Sequence, residues 1–167
     1  LVGYFMNRRP MLKALVATAD RVEKLEPTVQ TYSSSKFREV VAELQALAKT
    51  NRLEGESMDH ALAVAREASK RSLGKRPYPV QIMGAAALIQ NLVAEMATGE
   101  GKTLTAAVAA SIIGLAGRPV HIITVNDYLV QRDAENMKPL YEMMGLTVGY
   151  IVHELQHQER PATYRRN

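Results

Sequence analysis

The chain has no cysteine and no tryptophan, and aromatic residues make up only 5% of its 167 positions. Without cysteine, a disulfide framework and a thiolate zinc site are both excluded. The scarcity of aromatic residues makes stacking platforms for single-stranded nucleic acid hard to build. The sequence also lacks an apolar run of roughly 18 residues, the length that a membrane-spanning helix needs. Apolar residues nevertheless reach 47%, which predicts a globular chain with a real core.

The start of the chain and its charge narrow the possibilities further. Residue 1 is Leu rather than Met, and no signal-peptide pattern follows it, so we expect a piece of a longer product. The formal net charge is +4 and the isoelectric point is near 9.4. Such a basic balance suits a nucleotide, a nucleic acid or an anionic membrane surface, and it does not choose among them.

Apolar residues at helical spacing dominate the first 72 residues. We predict one helix along the Leu12–Leu25 stripe that ends close to Pro27, and a second along the Phe37–Leu47 stripe. A third helix is predicted near Met58–Leu73, with Ser57 as its N-cap. The solvated face of this third helix is expected to consist of Arg66, Glu67, Lys70 and Arg71.

From residue 74 the pattern changes to alternating strands and helices. A linker at Gly74–Pro79 precedes a short helix at Val80–Gln90. The later predicted elements are strands at 92–94, 120–125 and 147–152, with helices at 103–116 and 127–144. This alternation predicts an α/β fold with a parallel sheet, whose ligand lies outside the carboxyl ends of the strands.

The most informative stretch is the run Thr-Gly-Glu-Gly-Lys-Thr at residues 98–103, between a predicted strand and a predicted helix. Glycines let the backbone approach an anion closely, and the helix N-terminus adds partial positive charge. In such a phosphate loop Lys102 would reach the β- and γ-phosphates and the Thr103 hydroxyl would bind Mg²⁺. The general pattern has Gly or Ala where this chain has Met96. The alternative interpretation is an ordinary glycine turn.

Residues 94–105 resemble the SecA family, the ATP-driven motors of bacterial protein export, whose loop also carries Met at this position. Blocks at 63–71, 76–81 and 124–135 resemble the same family, in its order and at its spacing. The resemblance implies N-terminal helices followed by an incomplete RecA-like parallel sheet of the P-loop, DEAD-type motor class, with flanking helices. It divides the chain into an N-terminal helical region at 1–73 and an incomplete nucleotide-binding domain at 74–167.

The resemblance also implies roles for particular residues. Gln81 would read the adenine edge, since its amide offers both a donor and an acceptor. Without the family it would be an ordinary surface glutamine. The phosphate loop would consist of Gly99, Glu100, Gly101, Lys102 and Thr103, the last two in catalytic roles and Thr103 also as the metal ligand. Because like charges repel, the Glu100 carboxylate is expected to point away from the phosphates.

The block from Asn126 to Glu135 has two compatible interpretations. By resemblance it couples the nucleotide state to conformation. From the residues alone, Asp127 is a helix N-cap, and Arg132 and Asp133 form a surface pair.

The function implied is the ATP-binding part of a translocase motor that couples ATP hydrolysis to preprotein export through a membrane channel. The cofactors would be ATP and Mg²⁺, and the location cytoplasmic, peripheral on the inner (plasma) membrane. The partners would be preproteins, a SecYEG-type membrane channel, an anionic membrane surface and a second copy in a homodimer, whereas nucleic acid is not expected. No Asp-Glu pair for Mg²⁺ follows residue 135. We therefore expect this chain to hold only the P-loop half of the site. The full-length protein would be an ATPase, whereas this part of it would be inactive on its own.

Three alternatives remain open at this point. A superfamily 2 nucleic-acid helicase fragment would be stimulated by RNA or DNA. A zinc metalloprotease could use His153 and His157, which stand in an H-E-x-x-H pattern. No third ligand is evident there, and Pro161 limits a helix. The third alternative is a non-catalytic helical module that acts through the first 72 residues.

Overall fold

The computed structural model describes residues 8–153, with side chains from Pro10 onward. This part of the chain forms helices at α1 Arg8–Gln30, α2 Ser34–Lys49, α3 Glu56–Leu73, α4 Pro79–Ile89, α5 Lys102–Gly114 and α6 Asp127–Met143. Within these described residues, no helix combines the length and the apolar character needed to cross a membrane.

Helix α3 lies at the centre of the fold and packs against α1, α2, α5 and α6. Every residue from 61 to 69 is buried. The expected solvated face of this helix is therefore wrong at Arg66 and Glu67, which are only 2% and 7% exposed. Burial of these charges is tolerated because each has a partner: Glu67 binds Arg71 at 2.7 Å, and Arg66 binds acids of α1. Only Lys70 of the predicted face is exposed, and Arg71 is half-buried.

Two helix ends differ from the sequence prediction. Helix α1 continues through Pro27 to Gln30. Its last carbonyls, those of Val29 and Gln30, each accept a hydrogen bond from the Arg71 guanidinium at 3.3 Å, which supports the final turn. Helix α3 begins at Glu56 with Gly55 as N-cap, so the assignment of Ser57 as cap is wrong.

The predicted parallel sheet does not form, so the α/β, RecA-like fold class is wrong for this structure. Residues 8–153 contain no β-strand, and the segments at 92–94, 120–125 and 147–152 are irregular connections. A parallel strand is stable only when a neighbour pairs with its backbone and both of its faces are covered. Here Val93, Ile123 and Val125 are 97%, 92% and 87% exposed. Their β-branched side chains raise strand propensity, but propensity without a partner strand is not sufficient.

One hydrophobic core runs through the described helices. Val64 of α3, Val108 of α5 and Leu140 of α6 are all fully buried in it. Helix α1 also packs directly on α4. The helices before residue 74 therefore support those that follow it, and the division of the chain at residue 74 stays a prediction.

Candidate functional site

A cleft of about 780 Å³ opens between the segment before α4, the N-terminus of α5 and one face of α6. Its lining comes from three parts of the chain: Gly74, Lys75, Arg76, Tyr78 and Gln81; Gly101, Thr103 and Leu104; and Arg132, Asp133, Asn136 and Met137 of α6. Three of the sequence blocks that carry the family resemblance therefore meet in one place. We call the segment Gly74–Tyr78 the first wall of the cleft, and Thr103 together with the lining residues of α6 the second wall.

The N-terminus of α5 opens into this cleft. Gly101 is its N-cap, with φ +82°, and no side chain caps the helix. Uncapped backbone N–H groups and the helix dipole together attract an anion. Lys102, the first residue of α5, is exposed, and Thr103 lines the cleft. Of the predicted loop residues, Gly101 and Thr103 therefore line the cleft, Lys102 is exposed between them in sequence, and Gly99 and Glu100 lie outside the lining.

Gln81 is buried against the glycine loop and is only 7% exposed, which rules out the surface alternative. Its Oε1 accepts the Tyr78 backbone N–H at 2.9 Å, and its Nε2 donates to the Glu100 carbonyl at 2.8 Å. A Cβ on Gly101 would lie 2.2 Å from Nε2, so a larger residue there would displace this amide from its hydrogen-bonded position. Gln81 therefore fastens the loop to the start of α4, and its predicted role in reading adenine stays a prediction.

The Glu100 carboxylate is held within the loop itself. Its Oε2 accepts the Ala97 backbone N–H at 2.9 Å. Gly99, with φ +89°, provides the left-handed turn between these two residues. The negative charge is thereby bonded to the N-terminal limb of the loop.

On the second wall, the Asp133 carboxylate has two donors. Its Oδ1 accepts from the Arg132 guanidinium at 2.9 and 2.6 Å, so the predicted surface pair is confirmed. The Arg132 guanidinium also lies over the Tyr128 ring, 5.8 Å from its centroid. Asp133 Oδ2 accepts the Thr103 hydroxyl at 3.5 Å, a long hydrogen bond. Sequence reasoning missed the approach of Asp133 to Thr103, because no local pattern signals a contact across 30 residues.

The N-terminus of α6 is capped by Asn126, whose Oδ1 accepts the Leu129 N–H at 2.9 Å. The interpretation of Asp127 as the cap is therefore wrong. Its carboxylate instead accepts the His153 backbone N–H at 2.8 Å, which lowers the pKa of Asp127. The second histidine of the zinc alternative, His157, lies outside the described residues. Within residues 8–153, no group of three or more His, Cys, Asp or Glu could hold a metal ion.

Buried charges hold the first wall of the cleft in place. The Arg66 side chain, 3% exposed, donates from Nε to the Pro77 carbonyl at 2.8 Å and from Nη1 to Glu26 at 3.0 Å. Arg76, which lines the cleft, also pairs with Glu26 and reaches Glu23 at 3.4 Å. The hydrogen bond from Arg76 lowers the pKa of Glu26, whereas burial lowers the pKa of Arg66. Helices α1 and α3 thus fix the segment that leads into α4.

Comparison with known proteins identifies the family of the chain. The model of the SecA DEAD-like domain matches residues 3–167. The protein translocase subunit SecA of Carboxydothermus hydrogenoformans is 45% identical over 157 residues, which cover 92% of this chain and 18% of the relative. The same subunit of Clostridium tetani is 43% identical over 168 residues, covering 98% and 19%. That of Mycobacterium avium is 55% identical over 111 residues, covering 66% and 14%.

The chain therefore spans less than a fifth of the length of these relatives. The matches extend over the helical start of the chain as well as the glycine loop, so they do not depend on one short motif. On these matches, the chain belongs to the SecA family.

Proposed function

We propose that the cleft is the P-loop half of a nucleotide site that takes Mg²⁺–ATP. The observation that carries this proposal is the uncapped N-terminus of α5, which opens into the cleft behind a glycine in the left-handed conformation. Among the charged residues that line the cleft, Lys75, Arg76 and Arg132 outnumber Asp133, a balance that favours a polyphosphate.

The residues present fit the cofactors. Backbone N–H groups at the start of α5 would receive the phosphates, and Lys102 beside them would neutralise their charge. The Thr103 hydroxyl is an oxygen ligand of the kind that Mg²⁺ requires. Bound Mg²⁺ would supply charge neutralisation during phosphoryl transfer. Gln81 already contacts the loop, and on releasing Tyr78 and Glu100 its amide would offer its donor and acceptor to the adenine edge.

The activity of the whole protein is a wider proposal. The relatives are named protein translocase subunits. We therefore extend the proposal to a motor that couples ATP hydrolysis to preprotein export through a SecYEG-type channel, from the cytoplasmic face of the inner membrane. The buried contacts of α1 and α3 with the first wall provide a physical path by which the helical region would influence the nucleotide site.

A titration of fluorescent ADP in Mg²⁺ tests the nucleotide site. We expect saturable binding to the chain, weakened about tenfold or more in Lys102→Ala, which corresponds to about 1.4 kcal/mol. Lys138→Ala is the matched control, because Lys138 is an exposed lysine of α6 paired with Glu142, outside the cleft lining. Equal affinity in all three proteins, or no binding to the unaltered chain, would contradict the proposal.

The half-site expectation has its own test. Phosphoryl transfer in P-loop motors needs an acidic residue for Mg²⁺ and an arginine for transition-state charge, besides the loop. We expect the 167-residue chain to hydrolyse ATP at the background rate of the buffer. Steady-state turnover that disappears in Lys102→Ala would contradict this expectation, whereas turnover that persists in Lys102→Ala would indicate a contaminating ATPase.

A further inference from the structure

The long contact between Thr103 and Asp133 joins the phosphate loop to α6 at the cleft. Thr103 is the second residue of α5, and Asp133 lies in the second turn of α6. The hydroxyl donates to Oδ2, while Oδ1 is held by the Arg132 guanidinium. The two carboxylate oxygens therefore bind different partners, and the Arg132 contact at Oδ1 fixes the orientation in which Oδ2 faces the hydroxyl.

A threonine hydroxyl has one proton and two lone pairs. When the proton is committed to Asp133, the lone pairs of Thr103 Oγ1 are left to face the cleft. A carboxylate that accepts a hydrogen bond from a metal ligand both orients that ligand and increases its basicity. The Asp133 side chain is 22% exposed, so water screens it only in part.

We infer that Asp133 is a positioning residue for cation binding, because it holds the Thr103 hydroxyl with its lone pairs towards the Mg²⁺ of the nucleotide. This inference rests on the proposed function and goes beyond it, since it assigns part of the Mg²⁺ dependence to a carboxylate on α6. The 3.5 Å length of the contact is consistent with a site that tightens when the cation is bound.

The test compares ADP affinity in Mg²⁺ with ADP affinity in EDTA, and the ratio of the two measures the cation-dependent part of binding. In Asp133→Ala we expect this ratio to fall about tenfold or more, the usual effect of removing a residue that orients a metal ligand. Affinity in EDTA should change little. In Asp133→Asn, whose amide oxygen still accepts a hydrogen bond from the hydroxyl, we expect part of the ratio to be kept.

Glu135→Ala is the matched control, because Glu135 is an exposed acid of the same helix, bonded to Gln131 and outside the cleft lining. Its ratio should equal that of the unaltered chain. In a Thr103→Ala background, Asp133→Ala should cause no further loss, because a positioning residue acts only through the group that it positions.

The outcomes separate the two proposals. Absence of ADP binding to the unaltered chain in both buffers would contradict the proposed function itself. ADP binding with the same Mg²⁺ ratio in Asp133→Ala, or a full further loss in the Thr103→Ala background, would overturn the inference and leave the nucleotide site standing. If Asp133→Ala does not fold, an undiminished ratio in Asp133→Ser, which lacks the carboxylate, would overturn it equally.

Discussion

The two walls of the cleft are built in different ways. The first wall is anchored by Arg66 and Glu26, whose side chains are only 3% and 14% exposed. On the second wall Arg132 is 42% exposed, and Asp133 reaches Thr103 at 3.5 Å. Breaking a buried charge pair leaves an unpaired charge in the interior, whereas exposed pairs contribute little. The first wall therefore maintains the shape of the cleft, and the contacts of the second wall can adjust when a ligand binds.

The largest effect is expected when the first wall loses its central cation. Arg66→Ala leaves the Pro77 carbonyl without its buried donor, and the Glu26 carboxylate keeps only its contacts with Arg76 and Gln30. The free energy of unfolding, measured by urea denaturation, should fall by about 3–5 kcal/mol, because two hydrogen bonds of a buried charged group are lost. Arg132→Ala on the second wall is the control and should cost at most about 1 kcal/mol. Equal losses in the two variants would contradict the difference between the walls.

The next largest effect on stability is expected in the glycine loop that precedes α5. In Gly101→Ala the new Cβ would meet Gln81 Nε2 at 2.2 Å, in addition to the strain of φ +82°. We expect a loss of about 2 kcal/mol of unfolding free energy together with weaker ADP binding. Gly99→Ala, at φ +89° with open space around it, carries the backbone strain alone, about 1 kcal/mol. Thermal unfolding of both variants checks this, and an indistinguishable pair would mean that the Gln81 contact contributes nothing.

A smaller effect is expected at Glu26, the acid that pairs with both Arg66 and Arg76. The hydrogen bond from Arg76 lowers the pKa of Glu26 from its ordinary value of 4.5. The stabilisation is therefore present above pH 4.5 and is lost as the pH falls through the lowered folded-state pKa. Near neutral pH, Glu26→Gln should cost about 1.5 kcal/mol.

The difference between Glu26→Gln and the unaltered chain should shrink as the pH falls below 4.5, measured by urea denaturation across the acid range. Glu142→Gln is the control, since Glu142 is an exposed acid 3.7 Å from Lys138. If the difference in unfolding free energy between the two proteins were the same at every pH, the stabilisation by Glu26 would not depend on its ionised form.

The smallest effect on stability is expected on the second wall. Asp133→Asn weakens an exposed pair with Arg132 and keeps an oxygen for the Thr103 hydroxyl. Its unfolding free energy should stay within about 1 kcal/mol of the unaltered chain. A loss as large as that of Arg66→Ala in the same denaturation series would show that the second wall is also structural.

The sequence predicted the helices well, because a helix satisfies its backbone groups within itself and its apolar spacing is a local pattern. It failed for the strands, whose pairing depends on distant segments that no local pattern specifies. The burial of Arg66 was missed for the same reason, since its acidic partner Glu26 lies 40 residues away.

The candidate site likewise combines features that a local sequence pattern signals with contacts between distant residues that it does not. The glycine loop is a local motif, and the resemblance drew attention to Gln81, which the structure places against that loop. The contacts that shape the cleft are not local: Arg76 and Glu26 are 50 residues apart, and Thr103 and Asp133 are 30 apart. Such pairs are visible only once the helices are packed together.

The most direct test of the central claim is a map of backbone amide chemical shifts during titration with Mg²⁺–ADP. If the cleft is the nucleotide site, the largest shifts will fall on the loop and the start of α5 at residues 99–104, with smaller ones at 76–81 and 132–137. Helix α2, which contributes no residue to the lining of the cleft, will be unaffected. Shifts confined to other helices, or no saturable shift at residues 99–104, would contradict the claim.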